Sequence, residues 1–149
     1  MNRIRPLRPE DSRDRAEWLR MRHGLWPDED HATEAPLVLE QRHGPYEVLV
    51  LPRDDGCLAG FIEVGERNYA EGCETTPVAY IEGWWVDEDV RRTGAGRALV
   101  RAAEERAIAR GHREIASDAV IDNRVSILAH RALGFDEVER QVCFRKDLR

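Results

Sequence analysis

Apolar residues recur along this chain in two rhythms, one of period two and one of period 3.6, and each rhythm marks out its own elements. "YEVLVLP" (46–52), "CLAGFIEVGER" (57–67) and "VAYIEGWWV" (78–86) are apolar runs of strand length; the turn "RDDG" joins the first two into a hairpin. After Gly94 the period lengthens: Ala95, Ala98, Leu99, Ala102 and Ala103 share one helical face up to about Arg110, and Gly111 closes the helix. "PEDSRDRAEWLRMRHGLW" reads as an earlier helix, with Asp11 or Ser12 as N-cap and Ala16, Leu19 and Leu25 among its apolar positions. "ATEAPLVLEQRHG" reads as a second helix, capped by Thr33 and stopped by Gly44. "NRIRPL" supplies a short first strand, "REIASDA" a later one, "DNRVSILAHRALG" a last helix, and "FDEVERQVCFRKDL" one or two closing strands. The order β-α-α-β-β-β-α-β-α-β joins an antiparallel front half to a βαβ-like back half. That is a mixed α/β or α+β layered domain.

Length and composition add bounds. The 149 residues fit one domain, 1–149, able to bury roughly two-thirds of its unfolded surface. The longest purely apolar runs, such as Val48–Leu51, are too short to span a membrane, and "MNRIRPLRPEDS" lacks a signal-peptide core. A net charge of −6 argues against general nucleic-acid binding and permits a cationic substrate. Cys57, Cys73 and Cys143 show no metal-ligand spacing, so no metal is expected; reduced thiols in the cytoplasm are.

Arg91–Gly96 reads R-R-T-G-A-G between a strand and a helix. Glycine lets the backbone turn sharply and approach a ligand closely, and a helix's first turn offers unpaired N–H groups at its positive end. Arg91, Arg92 and Arg97 add charge, so the turn either cradles a phosphate or is simply a turn. A Walker loop would need Lys-Ser/Thr where Arg97-Ala98 stand, and the dinucleotide fingerprint would need glycine at Leu99.

Arg91-x-x-Gly94-x-Gly96 after a strand, Asn123 shortly after the next strand, and Leu133-Gly134-Phe135 closing the following helix together resemble the GNAT superfamily of N-acetyltransferases. The resemblance implies a mostly antiparallel twisted sheet of about six to seven strands flanked by about four helices. It implies acetyl-CoA as co-substrate, with its pyrophosphate on the amides of Arg91, Arg92, Thr93, Gly94, Ala95, Gly96 and Arg97, and its pantetheine arm against Asn123. Further stretches, "LWP" (25–27), "NYAEGCETTPVAYIEG" (68–83), "IASDA" (115–119), "HRALGF" (130–135) and "ER" (139–140), are similar to the aminoglycoside 6′-N-acetyltransferases. That similarity implies Trp26 and Tyr69 at the sugar, Glu82 and Asp118 beside the reacting amine, Glu139 as a further carboxylate, and a homodimer.

The residues support such chemistry separately. An acceptor ammonium must lose a proton before attacking a thioester, and a carboxylate, directly or through water, takes it. Glu82 lies in an apolar strand beside Gly83, and Asp118 ends the neighbouring strand; adjacent parallel strands bring such ends to one crevice. Each acid also has a plain reading, Glu82 in a salt bridge and Asp118 capping a helix or turn. A strand bulged at Gly83 would free a backbone N–H of Trp85 or Val86 for the thioester oxyanion. His130 holds the position where many superfamily members carry a tyrosine; it either donates a proton or packs on its helix face. Trp84 and Trp85 alternate across the strand, so at most one faces the cleft. Asp28, Glu29, Asp30, Glu71 and Glu74 either extend an acidic rim or are solvated charge. Cys73 has no base spaced to activate it. The expected activity is direct acetyl transfer to an aminoglycoside 6′-amine. The rivals are the same fold acting on another small amine, a polyamine or a protein lysine, and a non-catalytic CoA-binding module.

Overall fold

The computed structural model describes residues 3–40 and 45–149. Its elements are β1 (Arg5–Pro6), α1 (Ser12–Leu25), α2 (His31–Leu39), β2 (Glu47–Pro52), β3 (Leu58–Arg67), β4 (Val78–Val86), a 3-10 turn (Glu88–Val90), α3 (Ala95–Ala109), β5 (Ile115–Ser117) and α4 (Arg124–Ala132). They form one sheet in the order β1-β2-β3-β4-β5, antiparallel except for the parallel pair β4–β5.

Local chemistry explains where the helices begin. The Asp11 carboxylate accepts from Arg13 N at 2.9 Å and Asp14 N at 3.3 Å, which caps α1. Asp30 caps α2, accepting from the Thr33 amide at 3.3 Å and hydroxyl at 2.8 Å. Thr33 is therefore not the cap expected of it; a carboxylate three residues upstream satisfies its own N–H and starts the helix at His31. The expected stop at Gly44 lies outside the described residues. Gly111 and Gly134, with φ of 90° and 91°, end α3 and α4 in the left-handed turn that glycine adopts without strain.

The sheet divides the core in two. Leu49, Leu51, Ala59, Ile62, Val64 and Ile81 pack beneath Ala95, Leu99, Val100 and Ala103 of α3. On the opposite face Val50, Leu58 and Phe61 pack with Trp18 and Met21 of α1 and Ala35 and Val38 of α2. The buried stripe of α3 includes Val100 and Ala107 and leaves Ala98 and Ala102 at its margin, a rotation from the expected face.

The sheet has five strands among the described residues, fewer than the six to seven expected. The closing segment "FDEVERQVCFRKDL" forms none. Its Val138, Val142, Phe144 and Leu148 are exposed, Phe144 by 92%, and it pairs with no strand among the described residues.

Candidate acetyl-transfer site

Strand β4 carries the site. In its register with β3, Glu63 faces Gly83 and Val64 faces Ile81, so Glu82 is the extra residue of a bulge. The bulge expected at Gly83 is there, and it turns Glu82 and Gly83 toward the α1 side together. Beyond it the tryptophans separate. Trp84 lies on the α3 side, its ring 5.3 Å from that of His130. Trp85 lies on the α1 side against Gly24 and donates from Nε1 to Asp87 at 2.9 Å.

On the α1 side a cavity of about 310 Å³ is lined by Arg22, Trp26, Glu29, Glu34, Val38, Pro45, Glu63 and Glu82. Trp26 ends α1, its N–H bonded to Arg22 O at 2.8 Å, and its ring leans over Gly83 so closely that a Cβ there would lie 2.5 Å from it. Glycine is required at this position. Beneath lies a pair the sequence reading missed: Arg22 donates to Glu63, and the two side chains are 4% and 1% exposed. The Arg22 guanidinium carbon lies 5.1 Å from the Trp18 ring and 4.7 Å from the Trp26 ring, and its Nε donates to His31 Nδ1 at 3.4 Å. Burial pushes Glu63 up to about 7 despite its arginine, with the nearby charges of Glu82 and Glu29 adding to the rise. Glu63 carried the same signal that singled out Glu82, a carboxylate inside an apolar strand.

A second unforeseen pair governs the expected acids. Arg67 donates from Nε and Nη2 to Glu82 Oε1 at 3.1 and 2.5 Å, and from Nη2 to Oε2 at 3.1 Å. Its guanidinium stacks 3.6 Å from the centre of the Tyr80 ring, and the Tyr80 hydroxyl donates to Asp118 at 2.8 Å. Burial, and then Asp118, push the Tyr80 phenol up, so it remains a donor. Glu82 and Asp118 are thus linked through Arg67 and Tyr80, although Asp118 does not line the cavity. Tyr69 is 70% exposed and Glu139 is exposed, and neither reaches the cavity within this chain. Val138, however, lies against Gly72, which brings the closing segment beside the loop that carries Tyr69. Burial, then Glu114, pushes the Cys73 thiol up, the wrong direction for a nucleophile.

The α3 side is built differently. Strand β5 pairs with β4 only across Ala79–Ile81, so the edge of β4 from Glu82 to Val86 has no strand on that side. The chain leaves Val86 through Arg91, whose Nε donates back to Val86 O at 2.9 Å, Arg92 at φ 63°, and Thr93, whose hydroxyl bonds Val90 O at 2.6 Å. Gly94, at φ 90°, begins α3 without a side-chain cap, and a Cβ there would meet nothing within 4 Å. Ala95 is buried and Arg97 exposed, while a Cβ on Gly96 would touch Trp84 at 3.1 Å. Uncapped N–H groups, an open glycine and a free strand edge in line fit an extended ligand with a phosphate end. Asn123 caps α4, its Oδ1 accepting from Ser126 N at 3.1 Å. His130 donates from Nδ1 to Ser126 O at 2.7 Å, so its Nε2 accepts the Ser117 hydroxyl at 2.8 Å. Trp84 and Phe135 flank its ring, both edge-on at 5.3 Å.

Residues 13–135 match the Acetyltransferase (GNAT) family. The chain belongs to this family. Relatives named aminoglycoside N(6′)-acetyltransferase type 1 are 44% identical in Klebsiella aerogenes, over 95% of this chain and 96% of the relative, and 39% identical in Stenotrophomonas maltophilia, over 97% and 93%. The crystal structure of an aminoglycoside antibiotic 6′-N-acetyltransferase from Acinetobacter baumannii superposes with a TM-score of 0.85 at 32% identity, covering 99% of both chains. A structure of AAC(6′)-Iy with the bisubstrate analogue CoA-S-monomethyl-acetylneamine gives 0.85 at 30% identity and the same coverage. Like its family, the chain is an acetyltransferase that uses acetyl-CoA. Among the described residues no group of side chains is arranged to hold a metal, and no helix is long and apolar enough to cross a membrane.

Proposed function

We propose that this chain, as a single domain over 1–149, transfers acetyl from acetyl-CoA directly to the 6′-amine of an aminoglycoside antibiotic. The observation that carries the reading is the acidic cavity. Four carboxylates and a tryptophan line a space beside the free edge of β4, as a polycationic sugar needs. The identity with named aminoglycoside acetyltransferases over nearly the whole chain supports it.

Acetyl-CoA supplies an activated thioester whose sulfur leaves readily, a free thiol having a pKa near 8.5. The amides of Arg91–Arg97 would hold its pyrophosphate, and Asn123 would lie along its arm. A backbone N–H of Trp85 or Val86 would donate to the developing oxyanion. Trp26 would form one wall for the sugar, with Tyr69 and Glu139 at its rim. Glu82 and Asp118 would draw in the ammonium, an arrangement in which the amine competes with the Arg67 guanidinium for Glu82. We also propose a homodimer, supported by the exposed apolar side chains of the closing segment, and a cytoplasmic location, supported by three unpaired cysteines.

Steady-state assays with kanamycin and with polyamines test the acceptor; turnover of a polyamine but not kanamycin would overturn it. Acetyl-CoA binding with no turnover on any amine would favour a binding module. In the working enzyme, Asp118→Ala should lower turnover about 10²-fold with little change in acetyl-CoA affinity. Equal losses would make Asp118 structural.

A further inference from the structure

Resting on that reading of the acceptor, we propose that Glu63 receives the proton the acceptor ammonium must lose before it attacks. Glu82 is poorly disposed for the task, since Arg67 already occupies both of its oxygens. Glu63 is held differently. Arg22 grips Oε1, whereas Oε2 turns toward Gly83, ending 3.0 Å from where a Cβ on that residue would lie. It thus reaches, from below, the bulge at which the cavity meets the free edge of β4. The missing side chain of residue 83 and the bulge beside it together give a carboxylate on β3 access to chemistry on β4.

The step balances simply. One N–H bond of the ammonium breaks, its proton joins a Glu63 oxygen, and the nitrogen recovers the lone pair that forms the amide bond. The second amine proton goes to the departing sulfur, and Glu63 returns its own to water through the cavity. Charged and titratable groups around Glu63 and its partner are Arg22 on α1, His31 and Glu34 on α2, Glu29 between these helices, and Glu82 on β4. A proton acceptor works best when its proton affinity lies near the working pH, and burial moves Glu63 that way.

The test combines kinetics and spectroscopy on the full chain. With acetyl-CoA and kanamycin, Glu63→Gln, which keeps the shape and an acceptor oxygen for Arg22, should lower kcat about 10²-fold and remove the acid-side fall of the pH profile. Acetyl-CoA affinity should not change. Glu63→Asp should keep that fall with kcat reduced about tenfold, the carboxylate being one methylene short. If Glu63→Gln does not fold, Glu63→Asp decides: kcat within twofold of the parent, with an unmoved profile, overturns the proposal, as the same result for Glu63→Gln would. Carboxyl-carbon NMR of the unsubstituted protein gives a readout free of turnover. The Glu63 signal should titrate between about pH 5 and 8 and shift on adding kanamycin. A signal fixed in the carboxylate form throughout overturns the proposal whichever amine is acetylated. A titrating Glu63 in an enzyme that ignores every aminoglycoside would overturn only the acceptor.

Discussion

The two sides of β4 solve their recognition problems by opposite means. Toward α3, the turn fitted to a phosphate end comes from one continuous stretch, Val86 to Arg97, and its bonds are local, such as Arg91 Nε to Val86 O and the Thr93 hydroxyl to Val90 O. Toward α1, the acids are held by residues far apart in sequence: Glu63 by Arg22, Glu82 by Arg67, Asp118 by Tyr80. Backbone amides suffice for a phosphate, because every residue has one. A cationic acceptor needs side-chain carboxylates, and these must be held by partners that the fold brings in. The α1 side should therefore be where the molecule concentrates both its charge and its fragility.

The largest effect should come from removing Arg22. Arg22→Ala leaves a carboxylate buried without its cation and should cost about 3–5 kcal/mol, whereas Arg97→Ala, at the exposed start of α3, should cost about 0.5 kcal/mol or less. Urea unfolding of both variants measures the contrast. Equal midpoints would show that the buried pair is no more important than a surface charge.

Next comes Gly83. A methyl group there meets the Trp26 ring and Glu63 Oε2 at once, so Gly83→Ala must displace one wall of the acceptor cavity. We expect kcat/KM for the acceptor to fall about 10²-fold, with acetyl-CoA affinity held within a factor of a few. Loss of acetyl-CoA binding instead would mean that the two sides of β4 are not separable.

The same contrast explains what was legible in the sequence. The start and length of α3, the cap at Asp11 and the exact span of β4 rest on neighbours in sequence, and they stand as read; the buried face of α3, which packing against the sheet decides, is rotated. Glu82 was recognisable as a carboxylate inside an apolar strand; Glu63 met the same criterion, yet its partner is 41 residues away. Arg67 and Tyr80 carry no sequence signal of their own, because only the β3–β4 pairing brings Arg67 to Glu82 and only the β4–β5 pairing brings Tyr80 to Asp118. The closing strands failed for the converse reason. Their alternation is real, but Val138, Val142 and Phe144 find no partner strand within one chain.

Two buried carboxylates sharpen the comparison through pH. Asp14, near the start of α1, accepts from Arg5 at 2.7 and 3.0 Å and from the Arg8 amide at 3.0 Å, which together hold it below the usual carboxylate range against its burial. Its stabilisation is present above the unfolded value near 3.9 and lost as pH falls through the lower folded value. Glu63 has the opposite sign. Its folded value is raised to about 7, so the fold favours its protonated form, and stability from this group falls as pH rises from about 4.3 toward 7. Comparing unfolding free energies with Asp14→Asn and Glu63→Gln across this range should show the Asp14 difference shrinking below about pH 4 and the Glu63 difference changing between about pH 4.3 and 7. Parallel curves for the two variants would remove the distinction.

The smallest effect should be at Gly94, and it tests the other half of the comparison. The residue adopts φ 90° with open space around it, so Gly94→Ala meets no clash and pays only the left-handed backbone strain, about 1 kcal/mol. If recognition on the α3 side rests on backbone geometry, the strained turn should relax, swing the first amides of α3 out of line, and weaken acetyl-CoA binding about tenfold. The acceptor KM should stay put, because no side chain of the α1 cavity touches this turn. A titration in which Gly94→Ala binds acetyl-CoA as tightly as the parent, while Arg92→Ala or Arg97→Ala loses it, would reverse the assignment. Side-chain charge would then govern both sides of β4, and the asymmetry would lie only in how far each charge travels to reach its place.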